Sequence, residues 1–486
     1  MIKSRVEELV AVLDHLEQEL PVNQWKIKGV DIWPLLKMRL FFHHYDKYIK
    51  KGKSETIVSK IIRRIRNELR NRKLSSSKKQ FDNKQLEHKD VFFVASNVRV
   101  QHNNENKNRF FDPVMDSIEM SSYLFEYSYS VEKYYKNERI INVALSYPLF
   151  KEEISIDDNA ITQLKDFSVF KEFIHTSGIG DINEIKKEFV DSLKEVLVWE
   201  KLWLHYLREG NPQLSVITCY YSLPMFGYVL ASKKLNIPCV DMQHGVIGSL
   251  APLYNYKNIQ EDNYSNLLPD FFWVWDKNSA DALVKSIRKE RVFIGGNTWI
   301  HYIKSKEITN EFSSKKIILY TLQDGLTPLF LPKIVEAIKQ RGDKYQWWIR
   351  MHPRMTPSEV EQVYAEIKKN SLQKYVEIEK ANEIPLPQIL SQSEIHVSNY
   401  SGCLTEANII GVPYNITIHE VGRNVYADFI NSKEVFYFDM DGNQSFFSFI
   451  DSIKPIIRTV NNQEYQYDKI ISDAIKTFKG FSSNIR

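Results

Sequence analysis

Glu394-Ile-His-Val-Ser-Asn-Tyr-Ser-Gly-Cys-Leu-Thr-Glu-Ala407 is the stretch that decides the fold. Residues 394–398 read as a short strand, and residues 402–410 as the helix that follows it. Gly411-Val-Pro413 breaks that helix and leads into a further strand-like run, 412–416. Strand, abrupt helix start and strand form the unit of a parallel sheet with crossover helices. In open sheets of this kind ligands sit beyond the carboxyl ends of the strands. Ser398, Ser401 and Gly402 stand at such an end. Small hydroxyl side chains beside the amides of a helix start favour a phosphate. Glu406, about one turn inside, is placed to accept hydrogen bonds from two ribose hydroxyls. The plainer reading is a Ser-Gly helix start with a solvated glutamate.

The alternation extends both ways. Strand-like runs at 316–320, 346–351, 375–378 and 434–438 are separated by helical stretches at 332–341, 357–370 and 387–393. Upstream, 91–95, 214–219, 237–242, 271–275 and 291–294 read as strands, with a helix at 224–234. Gly295-Gly-Asn297 and the polar stretch 304–316 mark a break between halves of similar element order. The expected class is α/β, with two Rossmann-like domains at 81–300 and 301–486. Ahead of them, residues 1–80 read as a separate helical region. Val6, Leu9, Leu13, Leu16 and Leu20 repeat there at helical spacing. Within it, 57–74 forms a basic amphipathic helix, with Ile57, Ile61, Ile65 and Leu69 on one stripe and arginines crowding the rest. Two readings stay open: a helix lying on an anionic membrane surface, or a packed helix with a solvated basic face. Residues 75–79 read as a linker.

Composition narrows the classes. With 486 residues and 43% hydrophobic content, two or three domains with sizeable cores are expected. Lys+Arg 65 against Asp+Glu 61 leaves a net charge of only +4, which argues against a general nucleic-acid binder. Cys219, Cys239 and Cys403 lie in apolar runs with no CxxC pair, as expected in a reducing compartment without a disulfide framework or zinc site. Residues 1–19 read as an amphipathic helix rather than a signal sequence, and no apolar run is long enough to span a bilayer. The expectation is a cytoplasmic chain, peripheral on the inner membrane if 57–74 binds it. No P-loop and no Gly-x-Gly-x-x-Gly fingerprint occurs.

Three further motifs fall at strand ends. Arg350-Met-His-Pro-Arg354 sets two fixed positive charges around His352, a hydrogen-bond donor to phosphate oxygen, and Pro353 forces the chain out of the strand. Asp241-Met-Gln-His-Gly245 puts His244 at a sheet edge, with Gly245 read as the residue that lets the backbone turn sharply. A neutral imidazole there either takes a proton from an attacking hydroxyl or only binds the molecule that carries it. Gln323-Asp-Gly325 offers Asp324 as the rival base, or else an ordinary Asp-Gly turn. Asp439-Met-Asp441 has the spacing of a metal-binding carboxylate pair, but Gly442 after it reads as a turn, so no metal is expected.

Taken in order, Gln243-His-Gly245, Arg350-x-His-Pro353 and Ser401-Gly-x-x-x-Glu406-Ala resemble motifs of GT-B glycosyltransferases of capsule and lipopolysaccharide O-antigen assembly. The likeness is to the group with a His-Pro motif in the C-terminal half, which includes bacterial sialyltransferases, Kdo transferases and CDP-glycerol polymer transferases. It covers roughly residues 91–438. The resemblance implies two Rossmann-like domains facing across a cleft. The N-terminal domain would take a glycan acceptor, with Gln243 and Gly245 on that side. The C-terminal domain would take a nucleotide-sugar donor, CMP-linked in some members. His352, Ser401 and Gly402 would contact the donor phosphate; the residues themselves add Arg350, Arg354, Ser398 and Glu406 on the donor side and offer His244 or Asp324 as base, with no cofactor. The acidic base motif of the sialyltransferases has no clean match. Rival readings are a CDP-polyol phosphotransferase, a nucleotide-sugar 2-epimerase and a non-catalytic glycan-binding or scaffold subunit.

Overall fold

The computed structural model describes residues 5–45, 86–96, 99–102, 105–127, 138–151, 153–157, 159–258, 264–305, 312–326, 328–456 and 466–483. The basic segment 57–74 and the run 75–79 lie outside the described residues. Two compact units divide the chain. One holds Arg5–Thr298 and Tyr465–Arg486, the other Trp299–Glu464.

In the first unit, short strands β1 (Lys26–Ile27) and β2 (Val30–Asp31) pair as a hairpin. The main sheet begins with β3 (Val91–Ser96). A second hairpin, β4 (Arg99–His102) and β5 (Glu105–Asn108), follows it. Strands β6 (Ser122–Tyr127), β7 (Ile140–Asn142), β8 (Leu214–Thr218), β9 (Cys239–Met242), β10 (Phe271–Val274) and β11 (Val292–Ile294) complete it. All pairings are parallel, in the order β11-β10-β9-β8-β3-β6-β7. The chain winds outward from β3 to β7, then returns to β8 and winds the other way. That is the Rossmann order with one added strand. Val91 to Ala95 are all fully buried, because helices cover both faces of a parallel sheet. The longest helix, Ile182–Gly210, starts where the Asp181 carboxylate accepts the Asn183 and Glu184 amides. It stops at Asn211 in the left-handed conformation, just before Pro212.

The N-terminal helices differ from the expectation of a separate region. Leu9, Leu13 and Leu16 of helix Arg5–Glu19, and Leu35 and Leu36 of helix Trp33–His44, share one apolar core with Phe92 and Val94. Periodicity reports that a helix has an apolar face, not which partner covers it. The helix Tyr467–Ser483 also belongs to this unit, with Tyr467 packed on Trp273 at a ring distance of 5.5 Å.

The second unit carries β12 (Lys316–Thr321), β13 (Tyr345–Arg350), β14 (Val376–Glu377), β15 (Ser393–Ser398), β16 (Tyr414–Thr417) and β17 (Phe436–Tyr437). These are parallel throughout, in the order β14-β13-β12-β15-β16-β17, again the Rossmann winding. Neighbouring side chains feed opposite layers. Ile318, Tyr320, Trp347 and Ile349 enter one core, while Ile317, Leu319 and Trp348 enter the other. His396 sits fully buried between strands, bonded to Thr321 Oγ1 at 3.0 Å and Asn415 Oδ1 at 2.8 Å. Among the described residues no helix is long and apolar enough to cross a membrane.

Candidate functional site

The register of the second sheet brings Thr321, Arg350, Ser398 and Thr417 level at its carboxyl edge. Neighbours β12 and β15 are the pair at which the winding reverses, the place where open sheets leave a crevice for ligands. The loops leaving β12, β13 and β15 therefore surround one spot. The exits of β13 and β15 lie about 10 Å apart, two strand spacings.

Leaving β12, the chain turns at Gly325, whose φ of 76° lies in the left-handed region. The Gly325 amide donates to Glu359 Oε1 at 3.0 Å. Glu359 Oε2 meanwhile accepts the Thr356 amide at 2.7 Å, closing the capping box of helix Pro357–Lys369. One carboxylate thus ties the Asp324 loop to a helix start. Asp324 Oδ1 stands 3.3 Å from His352 Nδ1 and 3.2 Å from Arg354 Nη2, and accepts Gln323 Nε2 at 2.9 Å. Burial pushes the Asp324 carboxyl up, but His352, Arg354 and the hydrogen bonds from Gln323 and the backbone together hold the group below its ordinary value. It is a weak base.

His352 is lowered by burial, against the opposing pull of Asp324. Its Nδ1 faces two groups: the Arg354 amide at 3.2 Å donates to it when the neutral proton is on Nε2, and the Asp324 carboxylate at 3.3 Å accepts from it when Nδ1 carries a proton. The Nε2–H is the donor that a phosphate oxygen needs. Arg354 adds a charge whose side chain is 69% exposed and so reachable by a ligand. Arg350 is used otherwise: its Nη1 donates to the Ala381 and Ile384 carbonyls at 2.6 and 2.7 Å, bracing the end of helix Glu379–Glu383. Burial lowers this guanidinium, and the Cys403 and Glu406 charges partly restore it.

Leaving β15, Ser398 is fully buried and donates its hydroxyl to the Thr321 carbonyl at 3.2 Å, within the sheet. Ser401 Oγ accepts the Cys403 amide at 3.3 Å at the start of helix Cys403–Ile410. Its own proton meets only Cys403 Sγ, at 3.2 Å, a weak acceptor that a phosphate oxygen would displace. Gly402 is exposed, and a Cβ built there meets nothing within 4 Å. The space in front of this helix start is open. Glu406 lies in the first turn, electrostatically coupled to Arg350.

The loop after β16 belongs to the same edge and carried no recognised motif. His419 Nδ1 accepts the Val421 amide at 3.1 Å, opening helix Glu420–Val425, and its ring meets Tyr400 edge-on at 5.3 Å. Gly422 of that helix packs on the Asn399 carbonyl so closely that a Cβ would lie 2.1 Å from it. The legible signal was the glycine itself, in Val421-Gly-Arg423 just past a strand. The pair Asp439 and Asp441 forms a local turn, with the Asp441 amide donating to Asp439 Oδ1 at 3.0 Å. Among the described residues no group of three His, Cys, Asp or Glu is placed to hold a metal ion.

The first sheet has its own polar edge, beyond β8 and β9. His244 is half-buried, its Nε2 3.2 Å from the Tyr221 hydroxyl and its Nδ1 3.5 Å from the Tyr254 hydroxyl. Burial, with a smaller push from Arg109, takes this imidazole down to about 4, so it is neutral at physiological pH. Asp241, on the last turn of β9, is fully enclosed; burial lifts it to about 8 against hydrogen bonds from Tyr254 and the Tyr220 amide. Gln243 is consumed by the scaffold: Nε2 donates to the Gly245 carbonyl and Ser279 Oγ, and Oε1 accepts the Trp275 amide at 2.7 Å. The chain bends at Gly245 as expected, without taking the left-handed conformation, and the Gln243 side chain ties the bend through the Gly245 carbonyl. Tyr221, Tyr254 and Arg109 escaped the sequence reading, since tyrosines 13 and 23 residues apart from their partners leave no spacing signal.

The two units thus define a chain with two Rossmann-wound sheets, each with polar groups gathered at its carboxyl edge. No family model matches the chain, and no curated protein does. Among solved structures it is similar to the UDP-GlcNAc 2-epimerase from Neisseria meningitidis bound to UDP-GlcNAc. That match has 16% identity over 80% of this chain and 100% of that one, with a TM-score of 0.46. The UDP-GlcNAc 2-epimerase from Methanocaldococcus jannaschii gives 12%, 80%, 99% and 0.45 for the same quantities. MurG of Acinetobacter baumannii gives 8%, 80%, 99% and 0.40. Similarity at this level carries no assignment of activity, substrate or residue roles.

Proposed function

We propose that this protein is a metal-independent GT-B glycosyltransferase of the His-Pro group, moving a sugar from a nucleotide donor to a glycan acceptor in surface polysaccharide assembly. The observation that carries the reading is that the loops holding His352 with Arg354 and Ser401 with Gly402 leave β13 and β15, the two strands that flank β12 at the carboxyl edge. The donor phosphate sits there. His352 Nε2–H, the Arg354 guanidinium and the Ser401 hydroxyl meet the charge that grows on the leaving phosphate, the term that usually dominates such catalysis. Glu406 receives the ribose hydroxyls. Asp324 orients His352 and Arg354 and is not the base, since both neighbours stabilise its ionised form. Arg350, Ser398 and Gln243 hold the scaffold in this reading. The acceptor goes to the first unit, where His244 takes its proton. The segment 57–74 holds the enzyme to the anionic inner face of the membrane.

The test is product analysis of the full chain with a panel of CMP-, CDP-, UDP-, GDP- and dTDP-linked sugars, with and without glycan acceptors. Sugar transferred only when acceptor is present supports the reading. Donor epimerised without acceptor points to a 2-epimerase, a transferred polyol phosphate to a phosphotransferase, and either result overturns it. Vesicles of anionic lipid that fail to retain the chain would remove the membrane role alone.

A further inference from the structure

Four side chains line up at the edge of the first sheet: Asp241 at the end of β9, His244 and Tyr254 from the loop that follows it, and Tyr221 from the loop after β8. The Tyr254 hydroxyl donates to Asp241 Oδ2 at 2.9 Å and lies 3.5 Å from His244 Nδ1. On the far side of the ring, His244 Nε2 meets the Tyr221 hydroxyl at 3.2 Å. Asp241 Oδ1 is occupied by the Tyr220 amide at 3.1 Å, so Oδ2 is the oxygen that deals with Tyr254. A phenol has one proton. When Tyr254 gives it to Asp241, its oxygen accepts from His244, Nδ1 carries the imidazole proton, and Nε2 is an acceptor that the Tyr221 hydroxyl faces until an attacking hydroxyl takes its place. When Oδ2 itself is protonated, the row reverses. Asp241 donates to Tyr254, Tyr254 donates to Nδ1, and Nε2 becomes a donor.

We propose that Asp241, acting through Tyr254, sets the tautomer of His244 and so switches Nε2 between proton acceptor and proton donor. The inference rests on the reading of His244 as the base. In the acceptor state the proton of an attacking hydroxyl passes to Nε2 while its oxygen bonds the anomeric carbon. The bond from that carbon to the donor phosphate breaks, and its electron pair leaves on the phosphate. The imidazolium so formed faces the Asp241 carboxylate through the Tyr254 hydroxyl. Asp241 and Tyr254 touch no substrate and are positioning residues.

The surroundings leave Asp241 as the group that titrates. Tyr127 from β6, Cys219, Tyr220 and Tyr221 from the loop after β8, Cys239 from β9 and Tyr254 are all raised by burial and stay neutral. Arg109 is the charged group acting on His244. Asp241, lifted to about 8, ionises before any of those tyrosines and thiols.

The experiment is a pH series of 15N spectra on the full chain labelled at histidine, without ligand, with His244 assigned by its loss in His244→Gln. The expected result is Nε2–H on the acid side of the Asp241 transition and Nδ1–H above it. Asp241→Asn keeps Oδ1 on the Tyr220 amide and turns a donor toward Tyr254, so it should lose the Nδ1–H signal at every pH. Tyr254→Phe leaves the carboxylate in place and should uncouple the tautomer from pH. A wild-type tautomer that does not change across the transition, or an Asp241→Asn protein that titrates like the wild type, overturns the relay. The kcat–pH profile of transfer is the second arm. It should rise through the same transition and lose that rise in Asp241→Asn. Full turnover in His244→Gln with the expected spectra overturns the base assignment while the relay stands.

Discussion

Gly422→Ala measures how tightly the edge of the second sheet is built. The added Cβ would lie 2.0 Å from Thr417 Oγ1 and 2.1 Å from the Asn399 carbonyl oxygen. The first of these is already committed: Thr417 Oγ1 donates to that same carbonyl at 2.6 Å, locking β16 to the loop after β15. Neither atom is the far end of a flexible chain, so helix Glu420–Val425 must move. Overpacking of this kind costs about 1–3 kcal/mol. Severing the Thr417 hydrogen bond adds about 1 kcal/mol. A total of about 2–4 kcal/mol corresponds to a fall in Tm of about 4–16 °C for a unit of this size. The same displacement carries Asn399 to Ser401 away from the phosphate position, so nucleotide affinity should fall about tenfold, or 1.4 kcal/mol. Thermal unfolding and calorimetric titration with the best-binding nucleotide read the two effects. A variant with unchanged Tm would refute the packing argument, and a lower Tm with unchanged affinity would separate this loop from the ligand.

Gly402→Ala is the counterpart, because nothing stands within 4 Å of the new methyl group. Its Tm should stay within a degree or two while nucleotide binding weakens, and equal affinity would mean that no ligand approaches that backbone. His396→Gln tests a buried imidazole that burial holds at about 4 against an ordinary 6.5. Below 6.5 the unfolded chain takes a proton that the folded one refuses, so stability is lost as pH falls from 6.5 toward 4. The loss reaches about 3 kcal/mol. Urea titrations at stepped pH should show that slope in the wild type and not in the variant. Glu17→Ala leaves Lys37, which has no exposed side-chain surface, without the carboxylate 2.7 Å away. The loss should be about 3–5 kcal/mol. Unfolding of the first unit that ignores this change would detach the N-terminal helices from its core.

The sheets were legible because parallel strands covered on both faces become unbroken apolar runs. Val91-Phe-Phe-Val-Ala95, Lys316-Ile-Ile-Leu-Tyr320 and Gln346-Trp-Trp-Ile-Arg-Met351 each fall within a residue of an observed strand. Ser122–Tyr127 was missed: its apolar run is broken by Glu126, a carboxylate buried by the ion pair with Arg99 that no local pattern announces. That the N-terminal helices share the core of the first sheet was not legible, because the partners of Leu13 and Leu16 lie far along the chain. At the site, residue types that bring charge or hydrogen-bond donors to a strand end, such as His352, Arg354 and Ser401, could be nominated from their place after a strand. What each side chain does with its hydrogen bonds could not. Ser398 and Gln243 carry polar groups at their sheet edges, yet their donors go to a backbone carbonyl and to scaffold groups, and Arg350 spends its Nη1 on two carbonyls. Asp241 and Tyr254 meet only through a loop whose path the fold decides.

The central claim is that the carboxyl edge of the second sheet holds a nucleotide's phosphates. Calorimetric titration of the wild type and of His352→Ala with CMP, CDP, UDP, GDP and dTDP, each beside its nucleoside, tests it most directly. At least one nucleotide should bind the wild type far more tightly than its nucleoside does, and that advantage should collapse in the variant while Tm holds. Nucleotide and nucleoside binding equally, or a variant that keeps the full phosphate advantage, would contradict the account.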